Sequence, residues 1–128
     1  MPLVRIELIK GKSPEFRKTV GDVVYDAMRQ TLNVPENDRF QLVTEHEPDH
    51  FIADDSYLDI KRSADLIILQ VTLNEGRTIE MKKAFYAAVA NGLHDKLKLR
   101  REDVFISLVE VRKENWSFGN GIAQYAPA

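Results

Sequence analysis

The chain has 128 residues, 44% hydrophobic and 30% charged, with a formal net charge of −2 and no cysteine. This balance fits one folded domain with its own core rather than a disordered chain. It rules out disulfides and thiolate metal sites and offers no basic face for nucleic acid. No apolar run nears the ~18 residues of a membrane span, and no basic-then-apolar leader opens the sequence, so a cytoplasmic protein is expected.

Removal of Met1 would make Pro2 the amino-terminal residue, a secondary amine. Residues 3–9 then read as a buried strand that stops at Gly11. Ser13 and Pro14 form a helix start, an N-cap followed by proline at the first helical position. Phe16, Val20, Val23, Val24, Ala27 and Met28 recur at three- and four-residue steps and mark one buried helix face. Val34-Pro35 predicts the helix end, because the residue before proline avoids helical geometry. Residues 39–45 read as the second strand. Residues 46–65 are polar and turn-rich and predict a connecting hairpin. Residues 66–72 are a strand with apolar residues on both faces. Thr78 caps a second helix whose buried face is Met81, Phe85, Ala88, Val89 and Leu93. Residues 104–111 close the sheet. In the arm 112–128, Asn120-Gly121 with flanking aromatics predicts a C-terminal hairpin.

Shifted against itself by 65 residues without a gap, the sequence aligns Leu8 with Leu73, Gly11 with Gly76, Asp38 with Asp103, and Phe40 with Phe105. Lys12 falls on Arg77 and Ser13 on Thr78. Two strand–helix–strand repeats, about 2–45 and 66–111, predict a single α+β domain over residues 1–128. It would hold two right-handed βαβ units in a four-stranded mixed sheet, both helices on one face, with short hairpins added. The other sheet face would expose valine, isoleucine and leucine, so self-association is expected to cover it.

The Pro2 start, Gly11-Lys12-Ser13 opening a helix, and its echo Gly76-Arg77-Thr78 resemble the tautomerase superfamily, which includes 4-oxalocrotonate tautomerase and macrophage migration inhibitory factor. Residues 34–41 (VPENDRFQ), Gln70-Val71-Thr72, Arg77-Thr78 and Trp116-Ser117-Phe118-Gly119 are most similar to its malonate semialdehyde decarboxylase branch. The resemblance implies a homotrimer with sites near subunit boundaries and no cofactor or metal. It implies Pro2, Asp38 and Arg77 as catalytic residues, an aromatic wall of Trp116, Phe118 and Tyr125, and Lys12 as a further contact to substrate. The first arginine of the branch's Arg-x-Arg-Thr motif has no counterpart in Leu73-Asn74-Glu75-Gly76-Arg77, which weakens the grip on a carboxylate.

The chemistry so implied is keto–enol tautomerisation of a small enolisable keto acid. An amino-terminal amine titrates near ~7.7–8.0, and an apolar pocket with nearby cations lowers that value toward working pH. Decarboxylation or hydration of a small semialdehyde or acetylenic acid is the enzymatic alternative, and a non-catalytic oligomeric binding protein is the third. Each residue also has a plainer role. Asp38, like Asp103, precedes a strand and could serve a turn; Arg77 could be solvated beside its cap; Trp116 and Phe118 could be interface packing. The cluster Glu45-His46-Glu47-Asp49-His50 reads as charged turn residues rather than a metal site.

Overall fold

The computed structural model describes residues 2–127; Met1, whose removal is expected, lies outside the described residues, as does Ala128. In chain order the elements are β1 (Leu3–Ile9), α1 (Pro14–Thr31), β2 (Phe40–His46), β3 (Ile67–Asn74), α2 (Ile79–Leu97) and β4 (Val104–Val111). The sheet order is β2-β1-β3-β4. The outer pairs are parallel and the central β1–β3 pair antiparallel. The two βαβ repeats thus meet along their first strands.

Each helix begins as its sequence dictates. Ser13 accepts the Phe16 amide at 3.0 Å and Thr78 accepts the Met81 amide at 3.2 Å, satisfying amides that the helix leaves open. Strand alternation puts Val4, Ile6, Leu8, Ile67, Leu69, Val71 and Leu73 under the helices, all buried. Val20, Val24, Met28, Phe85, Val89 and Leu93 meet them from the helix side. Gly92 lets the helices close up: a β-carbon there would fall 2.8 Å from Cγ1 of Val23. On the other sheet face, Phe40, Leu42, Phe105 and Val109 remain 51%, 49%, 42% and 37% exposed. That apolar strip is what self-association was expected to cover.

Beyond shifts of one or two residues at the ends of β2 and β3, the structure departs from the sequence reading at three places. Helix α1 ends at Thr31, ahead of Val34-Pro35: Asn33 turns left-handed at φ 56°, and the amides of Leu32 and Val34 both return to the Met28 carbonyl. Residues 46–65 form no hairpin; they hold two single 3-10 turns, Pro48–His50 and Tyr57–Asp59. Their apolar pieces are too short to pair, and local bonds take over: the Ser56 amide donates to Asp54, and Arg62 to the Tyr57 and Ile60 carbonyls. The C-terminal hairpin is also missing. Asn120 and Gly121 do turn, at φ 61° and 68°, but a side chain replaces the ladder. Gln124 accepts from the Phe118 amide and donates to the Gly119 carbonyl, each at 3.0 Å.

Among the described residues no helix is long and apolar enough to cross a membrane. The Glu45–His50 side chains disperse to separate partners: Arg17 pairs with Glu45 at 3.3 Å and Lys10 with Glu47 at 2.6 Å, while the His46 ring lies 3.5 Å from the Glu7 carboxyl. No group among the described residues is arranged to hold a metal ion.

Candidate active site

The site is set by where strands begin and end. Leu3 pairs with Phe40 on one side and Thr72 on the other, so Pro2, the start of β2 and the end of β3 share one sheet edge. Asp38 lies two residues before β2, and Arg77 three residues after β3, at that same edge. Pro2 is buried, and with Leu3, Phe40, Trp116, Ser117 and Phe118 it lines a cavity of about 230 Å³. Leu3, Phe40 and Asn74 all fall on the face away from the helices. The cavity therefore opens at the edge of the uncovered face.

The arm reaches the cavity by crossing the sheet. After β4, a 3-10 turn at Lys113–Asn115 redirects the chain past the end of β3 toward β1 and β2. On the way, Trp116 Nε1 donates to Asn74 Oδ1 at 2.7 Å. Trp116 stacks on Phe118 at 5.4 Å between ring centroids, and Phe118 meets Tyr125 edge-on at 4.9 Å. The three expected aromatics thus pack in one row, of which Trp116 and Phe118 line the cavity while Tyr125 stays exposed behind them.

Asp38 is positioned from α1. The Asn37 amide donates to the Tyr25 hydroxyl at 2.9 Å, Arg39 Nη2 donates to Asp22 at 2.8 Å, and Gln41 Nε2 donates to the Gly21 carbonyl at 2.9 Å. The Arg39 guanidinium also lies 5.0 Å over the Tyr25 ring. The neighbours of Asp38 are thus tied down on both sides. Burial pushes the Asp38 carboxyl above its ordinary 3.8, and the positive charge of Arg77 acts against that rise.

Arg77 is strapped to the backbone. Nε donates to the Leu32 carbonyl and Nη1 to the Asn74 carbonyl, both at 3.1 Å. Two of a guanidinium's five donors are then used, and the others stay available to an anion. Since Leu32 caps the first helix, the second repeat is here tied to the first.

Lys12 is not brought to this edge within the chain. It lies beyond the far end of β1, whose Ile9 is already about 23 Å from Pro2 at ~3.3 Å per strand residue. There it pairs with Asp65 at 2.5 Å and sits over the Phe16 ring. Only a neighbouring subunit could join it to a Pro2 cavity. Sequence reasoning missed Asn74 and the Tyr25 anchor. Asparagine is depleted in strands, so its place at a strand end was the one signal offered.

A family model described as "Tautomerase enzyme" matches residues 38–119, and a second with the same description matches residues 2–60. A probable tautomerase of Bacillus subtilis (strain 168), YusQ, is 41% identical over 124 residues, covering 97% of this chain and 98% of that protein. The crystal structure of FG41 malonate semialdehyde decarboxylase inhibited by 3-bromopropiolate is 41% identical, with a TM-score of 0.89, covering 96% of this chain and 93% of that one. A fused 4-OT wild-type symmetric trimer, 22% identical, shares the fold at a TM-score of 0.79, covering 96% of this chain and 97% of that one.

Proposed function

We propose, from the premise that the chain belongs to the tautomerase family and to its malonate semialdehyde decarboxylase-like branch, that it is a cofactor-independent keto–enol tautomerase of small enolisable keto acids. Pro2, once Met1 is removed, is the general acid/base. Its neutral nitrogen takes a proton from one position of the conjugated keto–enol system and the resulting ammonium returns it at another, so that no net charge is gained or lost. Arg77 receives the substrate carboxylate or the developing enolate with its remaining donors. Asp38 orients Pro2, a water or the substrate. Trp116 and Phe118 keep water out, which strengthens these charge interactions, and Tyr125 packs edge-on against Phe118.

The observation that carries this reading is the shared cavity of Pro2, Phe40, Trp116 and Phe118 at the edge that also holds Asp38 and Arg77. A volume of about 230 Å³ is below the ~300–1,000 Å³ of sites for drug-sized ligands and fits a short keto acid. The uncovered apolar face, together with the trimeric state of the fused 4-OT relative, supports a homotrimer. A second reading, decarboxylation or hydration of a small semialdehyde or acetylenic acid, is favoured by the 41% identity to a malonate semialdehyde decarboxylase. The test is enol-to-ketone conversion of phenylpyruvate by protein with a mass-verified proline terminus, beside a Pro2→Ala variant. Conversion should collapse in the variant; equal rates would sink the proline mechanism. Turnover of malonate semialdehyde with no effect on phenylpyruvate would favour the second reading.

A further inference from the structure

We infer that Asn74 is the positioning residue of the cavity, fixing the plane of the Trp116 indole with its side chain while its own carbonyl holds Arg77. Asn74 and Asp103 are the two buried polar residues among those described, and Asn74 is 9% exposed. An amide in that place costs stability unless its hydrogen bonds are made, and an apolar residue would fill the strand end without that demand. Its bond to Trp116 spans 42 residues of chain at 2.7 Å. A half-buried indole N–H needs such an acceptor. Among the described residues the Trp116–Asn74 bond is the one hydrogen bond that joins the arm after β4 to the rest of the chain.

The geometry gives this bond a second consequence. The residue whose Oδ1 takes the indole also supplies the carbonyl that takes Arg77 Nη1 at 3.1 Å. Wall and cation are therefore referred to one point at the end of β3, and their spacing, which sets the length of acid the cavity accepts, depends on Asn74. Loss of the side-chain bond should free the indole and admit water, while Arg77 keeps its backbone strap.

Trp116 is the single tryptophan of the chain, so its emission reports this bond without interference. In Asn74→Leu, acrylamide quenching of Trp116 should rise several-fold and the emission move to the red, with far-UV circular dichroism unchanged. Asn74→Asp keeps an acceptor and should restore quenching toward wild type. Asn74→Ser, too short to reach the indole, replaces the leucine variant should that one fail to fold. An emission spectrum and quenching unchanged in the acceptor-less variant would overturn the proposal.

The activity arm rests on the proton-transfer reading; the fluorescence arm does not, so the two can fail separately. With phenylpyruvate enol as substrate, Asn74→Leu should lower kcat/KM by about tenfold, the worth of one hydrogen bond. It should do so mainly through KM. In a Trp116→Phe background the same substitution should cost nothing further. An equal loss in both backgrounds would place the role of Asn74 elsewhere and refute its action through Trp116.

Discussion

Replacing Asp103 and Asp38 by asparagine, one at a time, should move stability in opposite directions although the two stand at equivalent places in the repeats. Asp103 is fully buried. Its carboxylate accepts the Ser63 amide at 2.7 Å and the Ser63 hydroxyl at 2.6 Å. Arg100 stands 3.7 Å away but is half exposed and adds little. An asparagine keeps one acceptor, and Ser63 Oγ already accepts from the Asp65 amide at 3.1 Å. One charge-assisted bond is lost, about 2 kcal/mol. With an unfolding entropy of about 2.1 cal/mol/K per residue, a chain of 128 residues should lose roughly 7 °C in Tm.

Asp38 should behave otherwise. Burial raises its carboxyl above the ordinary 3.8, so between the unfolded and folded values the native state holds more protons than the unfolded one. Stability therefore falls as pH rises through that window, and the deficit is complete above the folded value. An asparagine does not titrate. Asp38→Asn should raise Tm at neutral pH, and the gain should vanish as pH drops below 3.8. Thermal melts at fixed protein concentration from acid to neutral pH decide the matter, concentration being held because association shifts Tm. The reasoning is refuted if Asp38→Asn loses as much stability as Asp103→Asn, which would make both aspartates turn residues. On the functional reading, the stabilised Asp38→Asn protein also loses turnover.

Two further outcomes are expected. Arg77→Lys keeps the charge but reaches only one of the carbonyls of Leu32 and Asn74; Tm should fall by the equivalent of about 1–2 kcal/mol, and steady-state kinetics should show a raised KM for keto acids. Phe105→Glu sets a charge in the uncovered face, where Phe105 is 42% exposed. Each subunit should lose about 2 kcal/mol or more of association energy, and sedimentation should show dissociation toward single chains with the helical content retained.

Elements whose signals are local were legible in the sequence. β4 spans residues 104–111 as read, β1 spans 3–9, and both helix starts follow from Ser13 and Thr78, because alternation and capping act over a few residues. Endings and loops were less legible. Proline at 35 could announce that a helix must stop but not that Asn33 would stop it first. Asn120-Gly121 could announce a turn but not a partner strand, and Gln124 took the ladder's place. The site divided along the same line. Pro2 and the aromatic wall were named from motifs, whereas Asn74 acquires its meaning from a contact 42 residues away that no spacing rule encodes.

The duplication also accounts for there being one such edge per chain. The 65-residue offset gives each member a counterpart: Ile67 for Pro2 and Asp103 for Asp38 in the second repeat, and Lys12 for Arg77 in the first. At that end, however, the connecting segment closes the polar groups off, since Asp65 pairs with Lys12 and Ser63 holds Asp103. Both partners come from residues 46–65, the stretch that lies outside the repeat. Ile67, at mid-chain, is 1% exposed and carries an amide nitrogen without basicity. At the Pro2 end, the hydrogen bonds of Arg77 among the described residues go to backbone carbonyls, which do not neutralise its charge, and Asp38 is held above its ordinary range. The same fold element is thus satisfied internally at one end and left poised toward a cavity at the other, and the connecting segment makes the difference.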